Sequence, residues 1–184
     1  MKVYITQHEV SVRVKLQLLY QLISTLEYLH GRTPTIMHSD VKPSNVMIQK
    51  GSGTLKLIDF GLSLHVTGKK LAAGGSLRYM DTERFNGEIT CSSDIFAFGR
   101  LVYFMATHKE PFSDADVGRD RILAFLEMKM EEPELVWPGD SGSFIAFCQD
   151  LYKKCTAPPQ ERPDATAVLE ILQSWPFGTA TVQL

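Results

Sequence analysis

Two short runs hold the residue types from which polar chemistry is built: His38-Ser39-Asp40-Val41-Lys42-Pro43-Ser44-Asn45, and Ile58-Asp59-Phe60-Gly61. An Asn amide oxygen (Asn45) and a carboxylate (Asp59) are hard oxygen ligands, suited to Mg²⁺ held between protein and phosphate. A second carboxylate, Asp40, can orient a hydroxyl and accept its proton, and Lys42 can neutralise charge on a transferring phosphoryl group. Gly61 is expected to let the chain turn sharply after the carboxylate. Taken alone, Asp40, Asn45 and Asp59 serve equally well as turn formers, because Asp and Asn favour turns wherever they occur.

These residues need elements to bring them together. Leu19, Leu22, Ile23, Leu26 and Leu29 recur three and four apart, which predicts a helix over about 11–30 with one broad buried stripe. Gly31 just beyond it is expected to be a left-handed cap, with Pro34 following. Val46-Met47-Ile48 and Leu55-Lys56-Leu57-Ile58 flank Gly51-Ser52-Gly53, which predicts a β-hairpin that folds Asp59 back towards Asn45. Residues 61–91 show no sustained period and read as a long functional loop. The stretch 92–106 is apolar on nearly all sides, as a central buried helix would be. Amphipathic helices are expected at about 116–130, 142–154 and 164–174, the last starting at Asp164 after Pro163. The expected fold is therefore mainly α, a helical bundle with one small hairpin carrying polar residues at both edges.

Composition narrows the function classes. The chain has 184 residues, 44% hydrophobic and 22% charged, enough apolar mass for one folded domain and too much for a disordered tail. A net charge of −2 disfavours nucleic acid as a partner, since a polyanion-binding surface leaves a basic surplus. Three cysteines, with no even framework and no CxxC pair, imply a reducing, intracellular and by default cytoplasmic setting, with Cys148 and Cys155 as small buried apolar residues. No apolar run approaches the ~20 residues of a membrane span, and the first ten residues make no signal-peptide core.

With the elements in place, the chain resembles the protein kinase family. His38-Ser39-Asp40 is similar to the catalytic-loop HRD, Lys42 and Asn45 stand at the family's Lys and Asn positions, and Asp59-Phe60-Gly61 matches DFG unchanged. Gly75-Ser76-Leu77-Arg78-Tyr79-Met80-Asp81-Thr82-Glu83 resembles the G-T-x-x-Y-M-A-P-E end of the activation segment. Ser92 to Gly99 is similar to the S-D-V-W-S-F-G helix, Thr107 to Phe112 to T-G-x-x-P-F, and Arg162-Pro163 to the late Arg-Pro. The motifs occur in family order and cover about 11–174. The resemblance implies transfer of a phosphoryl group from ATP, with Mg²⁺, to a protein Ser/Thr hydroxyl, since Lys42-Pro43-Ser44 follows the serine/threonine pattern. It implies catalytic roles for Asp40 and Lys42 and metal binding by Asn45 and Asp59. Ser76 takes the place of a substrate-loop Thr whose hydroxyl bonds towards the catalytic Asp and Lys. Support is expected from a packed His38, Phe60, Gly61, a Glu83–Arg162 ion pair, and Asp94. By position Asp94 could be a simple helix cap; the resemblance implies a bond to the catalytic-loop backbone.

The departures shape the expectation further. Ser39 replaces the family Arg, so a phosphate on the activation loop would lose its bidentate partner. Any activity should then change little with activation-loop phosphorylation; a strong response to phosphatase treatment or to a phosphomimetic series contradicts this. Asp81 and Thr82 replace Ala-Pro, and Phe96 replaces Trp. No GxGxxG occurs anywhere in the sequence, so residues 1–184 correspond to the C-terminal lobe of a partial kinase domain, with the nucleotide-covering N-terminal β lobe missing. Three readings follow: a serine/threonine kinase whose isolated C-lobe has negligible turnover, a non-catalytic pseudokinase-like binding module, or a fragment of a longer complete kinase.

Overall fold

Leu19, Leu22, Ile23 and Leu26 lose all contact with solvent, and each such burial contributes roughly 1.5–3 kcal/mol. They lie on α2 (Val12–His30), capped by Ser11, whose hydroxyl accepts the N–H of Val14. The computed structural model describes residues 1–7, 9–65, 75–113, 118–139 and 142–175, with the side chains of 7, 64 and 65 excepted. The other helices are α1 (Lys2–Gln7), α3 (Thr82–Phe85), α4 (Cys91–Thr107), α5 (Arg119–Leu126), α6 (Ser143–Cys155) and α7 (Ala165–Gln173). The architecture is mainly helical, as the periodicity predicts.

Every residue of α4 from Ser93 to Ala106 is buried, so this helix is the axis of the bundle. α6 packs against it, and α7 packs against α2. A β-carbon on Gly99 would lie 2.8 Å from Cys155 Cβ and 3.1 Å from Thr156 Cγ2. Gly99 thus sets the approach of α4 to the end of α6. Gly99→Ala should cost about 1–3 kcal/mol by overpacking, read as a lower urea midpoint; an unchanged midpoint contradicts the packing described. Cys148 and Cys155 are free and buried on α6, and burial pushes both thiols up to about 12. A smaller apolar cluster of Met80, Phe112, Ile122 and Leu126 fixes α5 to the segment before α3.

The hairpin forms as expected. β2 (Val46–Ile48) and β3 (Leu55–Leu57) are antiparallel, with Val46 opposite Leu57 and Ile48 opposite Leu55. Gly51 and Gly53 take positive φ in the turn, where a side chain would be strained. Gln21 of α2 accepts the N–H of Leu55 through its amide oxygen and ties the hairpin to the bundle. A second pairing, β1 (Ile36–Met37) with β4 (Leu64–His65), brackets the polar loop from the other side.

Three local expectations are corrected. Gly31 is not left-handed: its φ is −80°, and the helix ends by tightening, with Arg32 N–H on Leu29 O and Arg32 Nε on Tyr28 O taking up carbonyls a left-handed cap would have served. The helix expected over 116–130 is the shorter α5, and 114–117 lie outside the described residues. Within 61–91, residues 66–74 lie outside the description; the described remainder holds the end of a 3₁₀ turn at Phe60–Leu62, β4, a second 3₁₀ turn at Leu77–Tyr79 and α3.

Candidate active site

Asp94, in the first turn of α4, anchors the polar loop. It is only 2% exposed. Its Oδ1 accepts the backbone N–H of Ser39 at 2.8 Å, and its Oδ2 accepts that of His38 at 2.8 Å. These two bonds hold Ser39 in a left-handed conformation, φ +69°, which costs a non-glycine residue of order 1 kcal/mol and persists only because the surroundings impose it. His30, the last residue of α2, donates Nε2–H to the same Oδ2 at 3.0 Å. Burial lowers the His30 pKa, but the bonds to Asp94 and Cys91 outweigh it and raise it to about 9. A raised folded pKa stabilises fully below the unfolded value near 6.5 and loses that contribution as pH rises through about 9. The protein should therefore lose of order 2 kcal/mol between those limits, and His30→Gln should flatten the slope in urea melts. Equal slopes for both proteins contradict the assignment.

His38 is fully buried and acts as a joint. Its Nδ1 accepts the N–H of Asp40 at 3.3 Å and its Nε2 faces Ile58 O at 3.1 Å, a pattern that assigns the neutral Nε2–H tautomer. The ring meets Phe60 edge-on at 4.9 Å, and Ser63 Oγ donates to the His38 carbonyl. One imidazole thus links the 38–45 loop to the turn at 59–63.

Asp40 sits at the centre of the loop, 8% exposed. Lys42 Nζ lies 2.6 Å from its Oδ2, and Asn45 Nδ2 donates to the same oxygen at 2.9 Å and to the Asp40 carbonyl at 2.9 Å. Lys42 also donates to Ser76 Oγ at 2.8 Å. Burial pushes the Asp40 carboxyl up, yet Lys42, Asn45 and Ser76 together hold it below the usual carboxylate range. Asp40 is therefore an ionised acceptor at neutral pH, clamped between two donors.

Asn45 spends its NH₂ on Asp40, which turns its amide oxygen the other way. Ile58 N–H donates to Asn45 O at 2.9 Å, extending the β2–β3 ladder by one rung and setting Asp59 beside the loop. Here the expected division of labour is reversed. The sharp turn is taken by Asp59 itself, φ +64° and ψ +73°, and Gly61 has no positive φ. Gly61 matters through space: a β-carbon there would come 3.2 Å from Asp59 Oδ1, the oxygen that accepts the Gly61 N–H at 3.3 Å. Apart from that weak bond the Asp59 carboxylate faces solvent. Asn45 and Asp59 thus offer two oxygens of the hard type. No cluster of three or more His, Cys, Asp or Glu that could hold a metal ion occurs among the described residues.

The segment after the loop is braced from below. Arg162 Nη1 lies 2.7 Å from Asp81 Oδ2 and Nη2 lies 3.2 Å from Glu83 Oε2, with the guanidinium over Phe96 at 4.9 Å and Nε on the Ala157 carbonyl. Glu83 therefore shares Arg162 with Asp81, which also caps α3 through the N–H of Arg84. Asp81, a departure from the resembling motif, is the shorter of the two ion-pair contacts. Its cap could have been read from the three-residue spacing to Arg84; its partner 81 residues away could not. Arg100, wholly buried among Phe96, Phe112 and Tyr152, carried no local signal at all.

Comparison with known proteins gives the chain a family. The protein kinase domain family model matches residues 1–173. A probable serine/threonine-protein kinase WNK9 of Oryza sativa subsp. japonica is 29% identical over 150 residues, 82% of this chain and 34% of its own length. The mitogen-activated protein kinase kinase MST7 of Pyricularia oryzae is 34% identical over 175 residues, 83% of this chain and 41% of its own. Mitogen-activated protein kinase kinase 1c of Physcomitrium patens is 30% identical over 158 residues, 82% of this chain and 44% of its own. The chain spans 34–44% of the length of these relatives. Motif order, loop geometry and family match converge: this chain belongs to the protein kinase domain family.

Proposed function

We propose that this chain is the acceptor-side half of a serine/threonine protein kinase. The observation that carries the reading is the clamp on Asp40, whose Oδ2 takes Lys42 at 2.6 Å and Asn45 at 2.9 Å while Lys42 reaches Ser76 at 2.8 Å. In this reading Asp40 orients the Ser/Thr hydroxyl and holds its proton as the new bond forms. Lys42, already beside Asp40, places positive charge where the transferring phosphoryl oxygens lie. Asn45 and Asp59 hold Mg²⁺ through the amide and carboxylate oxygens. Bound ATP with Mg²⁺ supplies the phosphoryl group and neutralises its charge. Such catalysis is mostly positioning, so the two halves must be held together.

The nucleotide-covering lobe is expected on a longer product, in keeping with the absent GxGxxG and the partial coverage of the relatives. The free cysteines favour an intracellular setting, and no described helix is long and apolar enough to cross a membrane. Residues 1–184 alone should then show negligible turnover. The test is transfer of labelled γ-phosphate from Mg·ATP to a mixed protein acceptor by the full-length product, followed by phosphoamino-acid analysis. Phosphoserine and phosphothreonine are expected. Phosphotyrosine alone contradicts the serine/threonine reading, and no transfer by the full-length product favours the pseudokinase-like binding module.

A further inference from the structure

A cleft of about 560 Å³ opens beside the Asp40–Lys42–Ser76 clamp, and its charge is at odds with that of the chain. The whole sequence carries a net −2. The described lining of this cleft holds Lys2, Lys42, Arg78 and Arg119 against a single acid, Glu110. Two of the four cations are matched. Lys42 pairs with Asp40, and Lys2 Nζ lies 2.8 Å from Glu110 Oε1. The Glu110 carboxylate is further engaged by the Tyr79 hydroxyl through Oε2, which leaves it little capacity to offset more charge.

The other two cations have no acidic partner among the described residues. Arg78 donates Nη1 to the carbonyl oxygens of Pro111 and Phe112, neutral acceptors that fix the guanidinium without cancelling its charge. Arg119 stands exposed at the start of α5, and no acid pairs with it among the described residues. A guanidinium fixed by backbone carbonyls is pre-organised for a carboxylate, because its geometry is set before the partner arrives. A concave site lined by one sign of charge also concentrates the opposite sign.

Resting on the kinase reading above, we infer that this cleft selects acidic protein acceptors: segments with Asp or Glu close to the Ser/Thr that enters the clamp, read by Arg78 and Arg119. Arg119 is the specificity-determining residue best placed for a test, since it belongs neither to the clamp nor to the core. The chemistry requires no step beyond the phosphoryl transfer already proposed; the carboxylates only bind.

The experiment uses the 184-residue chain and labelled serine peptides that differ only in their flanks, with Glu, Gln or Lys, read by fluorescence anisotropy. At low salt the Glu peptide should bind at least tenfold tighter than the Gln peptide, and the gap should close at about 1 M salt, where screening acts within ~3 Å. Arg119→Glu should remove most of the preference. Lys153→Glu, the same charge change on an exposed residue outside the cleft, should leave it in place. The proposal is overturned by equal binding of Glu and Gln peptides, by no binding of any up to about 1 mM, or by equal losses in the two variants, which would mean bulk charge alone. The same peptides given to the full-length product with Mg·ATP separate the two claims. Faster transfer to the Glu peptide supports the inference and equal transfer overturns it. An acidic binding preference with no transfer to any peptide leaves the acidic selectivity standing and removes the kinase reading.

Discussion

Asp94→Ala should lower the stability by about 3–5 kcal/mol, the range for removing one partner from a buried charged network. The substitution strips three acceptor bonds at once. The N–H groups of His38 and Ser39 lose their partners inside the protein, and His30 loses the carboxylate whose bond raises its pKa against the effect of burial. Two orphaned buried donors cost of order 1–3 kcal/mol each, and Ser39 loses the bond that helps hold its φ at +69°. Domains of this size have ~5–15 kcal/mol in total, so the variant should be marginal. Asp94→Asn, which keeps one acceptor oxygen, should fall between. Urea unfolding followed by the fluorescence of Trp137 and Trp175 measures both. A loss below about 1 kcal/mol for Asp94→Ala would contradict the anchoring role.

Much of the bundle was legible because its signal is local. The stripe on α2 and the all-round apolar α4 are repeats that a window of a dozen residues captures. The hairpin announces itself through two glycines between short apolar runs. What escaped is short or distant. α1 has six residues and α3 four, too few to show a period, and the β1–β4 pairing joins two-residue strands across the whole hairpin. Asp94 shows why position alone misleads. In sequence it is a first-turn acid and a natural cap, yet its carboxylate reaches 55 and 56 residues back to the loop. Only the family resemblance raised that bond as an expectation.

The loop chemistry was legible in identity and less so in geometry. Asp40, Lys42 and Asn45 lie within six residues, so their proximity was nearly guaranteed, but the sharing of one Asp40 oxygen by both donors depends on the 3₁₀ turn at Pro43–Asn45. At the second run, the residue in the left-handed region is Asp59 and not the glycine. An Asp can occupy that region when its own carboxylate caps the following turn, as Asp59 does on the Gly61 N–H. Ser39 places its buried hydroxyl without a bonding partner among the described residues.

The second large effect concerns transfer itself. Asp40→Asn keeps the shape and the bond from Lys42 but removes the negative charge and the capacity to take a proton. Positioned proton acceptors contribute about 10²–10⁴-fold, so the rate in the full-length protein should fall by that factor. Folding should hardly change, since an amide oxygen can still accept from Asn45 or Lys42. Binding of Mg·ATP, for which Asn45 and Asp59 are the proposed metal ligands, should be retained.

Single-turnover transfer from Mg·ATP to a serine peptide, by the full-length protein and its Asp40→Asn variant, is therefore the decisive comparison. A drop of at least ~10²-fold with nucleotide binding and urea midpoint both preserved is the expected outcome. A variant rate within a few-fold of the parent would contradict the assignment of Asp40 and, with it, the view of this loop as the acceptor-side half of a phosphotransfer site.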